Sequence, residues 1–175
     1  MSAPEDTLLA RYTTLGSLLD LLRHRRLTLT SPLFWEDGND AFSLNEYRLR
    51  KRAKSILALC FTQAAETFHH WKVFTRAEDG VRIEFDRGRV TLWWARVEGL
   101  TGRKVLYREI NKFKNYDHTV EDLPFLKRYP YRDEIEFRLI HLASSGPTEA
   151  KHFDFDPRLR TEDHNQSMDD SGQVG

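Results

Sequence analysis

Cysteine is almost absent from this chain. A single residue of 175, Cys60, rules out an intramolecular disulfide framework and any zinc or iron–sulfur site that needs several thiolates. Neither sign of charge is in excess, since 27 Lys and Arg balance 27 Asp and Glu. That balance excludes a dominantly cationic nucleic-acid coat protein and an acidic solvating tail.

Long apolar runs are also missing, so no segment is predicted to span a membrane. The first ten residues, MSAPEDTLLA, carry acidic residues where a secretion signal needs basic ones. Equally absent are the glycine-rich motifs of P-loop and dinucleotide-binding proteins, the HExxH motif of zinc proteases and the GxSxG motif of hydrolases. We therefore expect a cytoplasmic protein with no membrane partner.

The chain has enough apolar material for a core, since 39% of its residues are hydrophobic and 12% are Phe, Tyr or Trp. Its length favours one domain. We place a polar lead at 1–8, a single domain at 9–156 and a disordered tail at 157–175, because the last stretch is polar and lacks periodicity.

Hydrophobic periodicity predicts alternating helices and strands, followed by several strands late in the chain. We predict helices over 13–24, 41–54, 64–78 and 123–129, and strands over 27–31, 56–61, 81–86, 90–97, 104–110 and 134–142. Strands that cluster without intervening long helices favour an α+β fold with a largely antiparallel sheet.

Three features of the sequence could have either a functional or a purely structural role. His69 and His70 are adjacent, and on a helix their rings point about 100° apart, so we predict no metal site there. Cys60 lies in the apolar strand 56–61, which favours a core thiol over a nucleophile. The basic helix 41–54 could bind RNA, DNA or a nucleotide through its cations, or it could be a solvated helix face.

The segment from Asp133 to Arg138 is the most informative stretch. In a strand, Glu134, Glu136 and Arg138 share one face. The opposite, apolar face carries Ile135, Phe137 and Leu139. One interpretation is a solvated sheet face with a weak ion pair. The other is the floor of a cleft whose carboxylates and guanidinium bind a hydroxyl-rich ligand such as a ribose.

Seven segments, taken in order, resemble a bacterial family of unknown function catalogued as DUF 2971. They are Arg11-Tyr12-Thr13 before a Leu-rich helix, Leu27 through Pro32, Trp35 through Asp40, Cys60-Phe61-Thr62, Trp71 with Phe74, Gly80 through Asp86, and Glu134 through Arg138. Together they lie within residues 9 to about 142. Phe74 stands where the family usually has Tyr, and Gly38 where its loop favours Pro.

The layout is more distantly similar to the ADP-ribosyltransferase superfamily. That resemblance implies a split, mostly antiparallel sheet with N-terminal helices, NAD as the substrate, and a protein or nucleic-acid acceptor, in phage defence or as a toxin. It implies six site residues: the catalytic pair Glu136 and Glu134, and Arg11, Tyr12, Trp71 and Arg138 around the bound NAD. Cleavage of the nicotinamide–ribose bond develops positive charge on the ribose, which a carboxylate stabilises.

Two alternatives stay open beside this hypothesis. One is a non-catalytic module that binds nucleic acid or a nucleotide through the basic helix 41–54. The other is an inactive, degenerate member of the family, which the short C-terminal part of the chain suggests.

Overall fold

A computed structural model describes residues 7–35, 38–75, 79–109 and 118–156. The strands of these ranges are β1 Leu8–Thr14, β2 Arg26–Thr30, β3 Ser55–Thr62, β4 Gly80–Asp86, β5 Leu100–Lys104, β6 Leu106–Arg108, β7 Leu126–Arg128, β8 Glu136–Ala143 and β9 Ala150–Asp154. The helices are α1 Leu15–His24, α2 Gly38–Arg50, α3 Phe68–Phe74 and α4 Arg87–Arg96, with 3-10 turns at Pro32–Phe34, Val120–Phe125 and Tyr129–Glu134.

Strand β3 is the centre of a seven-stranded sheet. Strand β8 pairs antiparallel with it along its whole length, from the Ser55–Ala143 pair to the Thr62–Glu136 pair, and so occupies one edge. Strands β1 and β2 therefore share the other edge, and both run antiparallel to β3. Outside these lie β4 on β1, β9 on β2 and β5 on β8. A separate parallel pair joins β6 to β7.

The sheet forks where β1 and β2 meet β3. Strand β1 joins β3 at the Ala10–Thr62 pair, and β2 joins it at the Thr30–Ala58 pair. The two branches therefore diverge on either side of the β3 segment that carries Cys60. Helix α1 connects the two branches, as a connection between strands of the same direction requires.

Both faces of β3 and β8 are buried, because successive side chains of a strand point to opposite faces. On one face, Leu57, Leu59 and Phe61 pack with the side chains of β8 and with Val90 and Trp93 of α4. The opposite face packs against a second cluster, formed by Leu44, Tyr47, Ile56, Ala58, Phe125 and Ile140. A strand covered on both faces explains the continuous apolar run that predicted β3.

The predicted α+β class and mostly antiparallel sheet are confirmed. The first described element is nevertheless the strand β1, not a helix, and helix α1 follows it. Strand β1 pairs with β4 over seven positions, from Leu8–Asp86 to Thr14–Gly80. Its adjacent leucines hide the period-two alternation, so its extended conformation depends on this long-range pairing.

The strand predicted over 90–97 is wrong, because residues 90–96 belong to helix α4 and Val97 is its C-cap. Asp86 caps the helix by accepting a hydrogen bond from the backbone N–H of Arg89 at 2.8 Å. Val90 and Trp93, three residues apart, then face the core together. A capping residue and one buried helical face outweigh the β propensity of the tryptophans.

Other predicted boundaries shift. The helices predicted over 41–54 and 64–78 are observed as α2 and the shorter α3, and the strand predicted over 104–110 divides between the end of β5 and β6. Residues 76–78 and 110 of these predictions lie outside the described residues. The helix predicted over 123–129 is a 3-10 turn followed by β7. Strand β9 was not predicted. The tail 157–175 and residues 1–6 lie outside the described residues. Among the described helices, none combines the length and apolar character needed to cross a bilayer.

Candidate functional site

The fork in the sheet opens into a cavity of about 700 Å³. Its walls come from β1, from β3, and from the segment that ends at the start of β8. The volume falls within the roughly 300–1,000 Å³ that is typical of ligand pockets. The cavity-lining residues that carry the argument below are Arg11, Tyr12, Cys60, Lys127, Glu134 and Glu136.

Arg11 is the cation of the β1 wall. It lines this cavity and also a neighbouring one of about 400 Å³ between β1, β2 and helix α1. Burial lowers the pKa of Arg11 to about 10. No hydrogen bond or ion pair joins its guanidinium to another residue in the part of the chain that the structure describes. A half-buried cation with no carboxylate partner among these residues favours binding of an anion.

Two glutamates supply negative charge to the cavity. The Lys127 ammonium lies 2.6 Å from Glu134 Oε2 and 3.2 Å from Glu136 Oε2, so one lysine bridges both carboxylates. The side chain of Glu134 is 14% exposed and that of Glu136 is 6% exposed. Glu136 also accepts at Oε1 from Arg138, whereas among the described residues the carboxylate of Glu134 is bound by Lys127 alone. Glu134 is therefore the carboxylate with an oxygen available to a ligand.

A second layer of charge lies behind these glutamates. The guanidinium of Arg138 is fully buried and binds both oxygens of Asp40, at 2.8 and 2.6 Å. It also donates to Glu136 at 2.7 Å and lies 5.2 Å from the ring centre of Trp35. A bidentate arginine–carboxylate pair has a fixed geometry. Arg138 therefore holds Glu136 in place from behind the wall, and it is not itself among the cavity-lining residues.

Burial and neighbouring charges shift the pKa values of the three carboxylates in different directions. Burial raises the pKa of Asp40 and of Glu134, and neighbouring negative charges add to both increases. For Glu136, burial acts in the same direction, but the charges of Arg138 and Lys127 outweigh it and lower the pKa below its usual value. Glu136 is therefore held ionised, while Glu134 binds a proton more readily.

The thiol of Cys60 also borders the cavity. It lies in the expected central strand, but its side chain is half-buried at the cavity wall instead of enclosed in the core. Burial and the adjacent charge of Glu136 raise the pKa of this thiol well above its usual value. A thiol that resists ionisation is a poor nucleophile.

Three rings surround that of Tyr12 at one end of the cavity. The ring of Tyr12 meets Trp71 edge to face at 5.1 Å, stacks on Phe74 at 5.9 Å and lies 6.0 Å from His70. Tyr12 and Phe74 line the cavity, whereas Trp71 lies behind Tyr12 and donates its indole N–H to Glu66 at 2.8 Å. The rings that face the cavity can contact a flat ligand group.

The structure thus brings Arg11, Tyr12, Glu134 and Glu136 to one cavity and places Trp71 and Arg138 one layer away. Glu134 and Glu136 do not share one strand face as predicted. Glu134 ends a 3-10 turn, and Ile135 follows in a left-handed conformation (φ 41°) before β8 begins. Ile135 is 47% exposed, so the prediction that it lies on the apolar face of the strand is wrong.

Sequence reasoning missed Lys127 and Asp40. Asp40 sits in α2, far along the chain from β8, and Lys127 sits in the three-residue strand β7. Neither has a local pattern that marks it, because only the packing of α2 and β7 over β8 brings their charges to Glu136.

The basic helix offers fewer free cations than its sequence predicts. Arg48 donates to the side chain of Asn45 at 2.9 and 3.1 Å and to a backbone carbonyl. Arg50 lies 3.9 Å from Glu46, and Lys51 forms an ion pair with Glu121. Three of its cations are thus engaged within the chain.

Among the described residues, no group of three or more His, Cys, Asp or Glu side chains is placed to hold a metal ion. Comparison of the chain with protein-family models, with curated proteins and with solved structures finds no match.

Proposed function

We propose that this protein is an NAD-using enzyme of the ADP-ribosyltransferase type, within a DUF 2971-like fold. One observation carries the proposal: a single cavity is lined by the carboxylates Glu134 and Glu136 and by Arg11, a cation with no ion-pair partner among the described residues. NAD carries both groups that such a cavity would select, a pyrophosphate anion and ribose hydroxyls.

In this proposal, Arg11 binds the pyrophosphate. A guanidinium matches phosphate oxygens with two parallel hydrogen bonds, and its partial burial strengthens each of them. The ring of Tyr12, at the same wall, contacts the nicotinamide or the ribose beside it. Trp71 supports the ring of Tyr12 from behind.

The carboxylates act at the ribose. The C–N bond between ribose and nicotinamide breaks, its electron pair leaves with nicotinamide as a neutral molecule, and the ribose carbon becomes positively charged. Glu136, which Arg138 and Lys127 hold ionised and in place, stabilises that charge. A nucleophile then bonds to the ribose carbon, and its proton passes to Glu134, whose raised pKa suits a base.

The test is release of nicotinamide from NAD by the purified protein, with ADP-ribose transfer followed by a label on the adenosine half. We expect Glu136→Gln to lower release by roughly a hundredfold or more, because it removes the charge and keeps the shape. Arg11→Gln should raise KM more than it lowers kcat, since Arg11 binds a part of NAD that does not react. Glu98→Gln, at an exposed turn, is the matched control.

Circular dichroism of each variant confirms that the fold is intact. NAD binding without nicotinamide release would indicate the inactive family member instead. No binding at all, or equal release by wild type and Glu136→Gln, would contradict the proposal.

A further inference from the structure

A second cavity shares part of its wall with the first. It has a volume of about 400 Å³ and lies between β1, β2 and helix α1. Arg11 of β1 and Thr30 of β2, one residue from each branch of the forked sheet, line both cavities. We call this space the α1 cavity and define it by five of its polar lining residues: Arg11, Thr13, Asp20, Arg26 and Thr30.

The α1 cavity has an excess of positive charge. Among the described residues that line it, the charged ones are two cations, Arg11 and Arg26, and one carboxylate, Asp20. Arg26 donates to both oxygens of Asp20, at 2.9 and 2.7 Å, so these two charges balance each other. Arg11 has no ion-pair partner among the described residues, and a pKa of about 10 keeps it ionised at neutral pH. The guanidinium of Arg11 therefore supplies one unbalanced positive charge.

The first cavity has the opposite balance of charge. Its described lining residues include three carboxylates, Asp40, Glu134 and Glu136, and two cations, Arg11 and Lys127. Lys127 is already engaged by these carboxylates. A small anion that approaches Arg11 is therefore repelled by the carboxylates of the first cavity and meets no unpaired carboxylate among the described residues of the α1 cavity.

Hydroxyl groups lie on both sides of this guanidinium. Thr13 is two residues from Arg11 on β1, so the two side chains point to the same face of the strand. Thr30 lines the cavity from β2. Neither hydroxyl is bonded to another residue in the part of the chain that the structure describes. A phosphoryl group fits these donors better than a planar carboxylate, because its oxygens accept hydrogen bonds from several directions.

We propose that the α1 cavity binds a phosphoryl group through Arg11, Thr13 and Thr30, and that this ligand competes with NAD for Arg11; the competition rests on the proposed function. One guanidinium lines both cavities, so a phosphate bound in the α1 cavity engages the cation that NAD needs in the first. The ligand is inorganic phosphate or a small phosphorylated sugar, whose hydroxyls the remaining hydroxyl-lined space accommodates.

The first experiment measures binding without NAD. The full chain is titrated with inorganic phosphate and with ribose 5-phosphate by isothermal titration calorimetry, while sodium chloride keeps the ionic strength constant. We expect Arg11→Gln to weaken binding about tenfold or more, because it removes charge-assisted hydrogen bonds. Thr13→Val keeps the shape of the side chain and should weaken binding about 2- to 12-fold, the range for one neutral hydrogen bond. Tighter binding of ribose 5-phosphate identifies a phosphorylated sugar as the ligand, and equal affinity identifies phosphate itself; both support the site.

Two exposed controls match these variants elsewhere on the protein. Arg50→Gln removes a cation of α2, and Thr101→Val removes a hydroxyl of β5. Both should leave phosphate binding unchanged, and circular dichroism confirms that each variant is folded. No phosphate binding, or binding that the controls weaken equally, overturns the inference. So does binding that Arg11→Gln abolishes and Thr13→Val leaves unchanged, because the anion then lies in the first cavity.

The second experiment measures nicotinamide release over a range of NAD concentrations, with and without phosphate. Competition for Arg11 predicts that phosphate raises KM and leaves kcat unchanged, and that Thr13→Val reduces this effect of phosphate. Nicotinamide release that is independent of phosphate, in a protein that binds it, overturns the competition and leaves the proposed function standing. Phosphate binding without nicotinamide release contradicts the proposed function and supports the phosphate site alone.

Discussion

Replacing Lys127 with methionine tests the charge network most directly. Methionine is also long, unbranched and flexible, so the substitution removes the ammonium while it largely fills the space. The side chain of Lys127 is only 9% exposed, and its ammonium lies within 4 Å of three carboxylates, Glu134, Glu136 and Asp40. The variant therefore leaves an excess of buried negative charge.

The expected cost is large, because removal of one partner from a buried ion pair destabilises a protein by about 3 to 5 kcal/mol. Lys54→Met is the control, since Lys54 is exposed, and it should change the free energy of unfolding by less than about 0.5 kcal/mol. Urea denaturation of both variants and wild type measures the difference.

The pH dependence identifies the cause. Without Lys127, the pKa values of Glu134 and Asp40 should rise further above their unfolded values, so folding takes up protons. A carboxylate with a raised pKa stabilises the folded state below that pKa and loses this contribution as pH rises through it. The deficit of Lys127→Met should therefore shrink on acidification, by up to about 1.4 kcal/mol per pH unit for each proton taken up.

The wild-type contribution of Glu136 has the opposite sign. Its pKa is lowered, so its stabilisation is present above the unfolded pKa and is lost as pH falls through the folded value. The double variant Lys127→Met with Glu134→Gln should recover part of the lost stability. A deficit that is the same at pH 5 and pH 8, with no recovery in the double variant, would refute the electrostatic reasoning and indicate lost packing.

Three further predictions concern single positions. Cys60 should react slowly with thiol reagents at neutral pH, because burial and Glu136 raise its pKa; fast labelling of native protein would contradict this. Asp86→Ala should cost about 1 kcal/mol in urea denaturation through loss of the cap on Arg89, and Asp86→Asn should restore most of it. Leu57→Ala, at a fully buried side chain of β3, should cost about 2 to 5 kcal/mol; a cost under 1 kcal/mol would mean that the core relaxes around the gap.

Periodicity predicted the elements whose own side chains dictate their conformation. The run at 56–61 indicated a buried strand, and β3 is indeed covered on both faces. Thr14, a residue type favoured at helix N-termini, caps α1 by accepting a hydrogen bond from the backbone N–H of Ser17. Alternation placed Glu136 and Arg138 on one face of β8 and Phe137 on the other. These patterns are local, so the sequence alone contains them.

Long-range contacts decided what those patterns left open. Strands β1 and β9 extend because they pair with β4 and β2, and neither pairing has a local signal. Residues 90–96 form helix α4 where a strand was predicted. Its buried face is stabilised only by packing against the sheet, which the local sequence does not show.

The burial of the charged face of β8 is the clearest case. From the sequence, Glu136 and Arg138 could lie on a solvated sheet face or on the floor of a cleft. Helix α2 and strand β7 cover that face and supply Asp40 and Lys127, so the charges are paired out of water. The sequence by itself determined which residue types alternate along this strand. Only the tertiary structure, by removing water from one side of it, decided which carboxylate is held ionised and which remains open to the cavity.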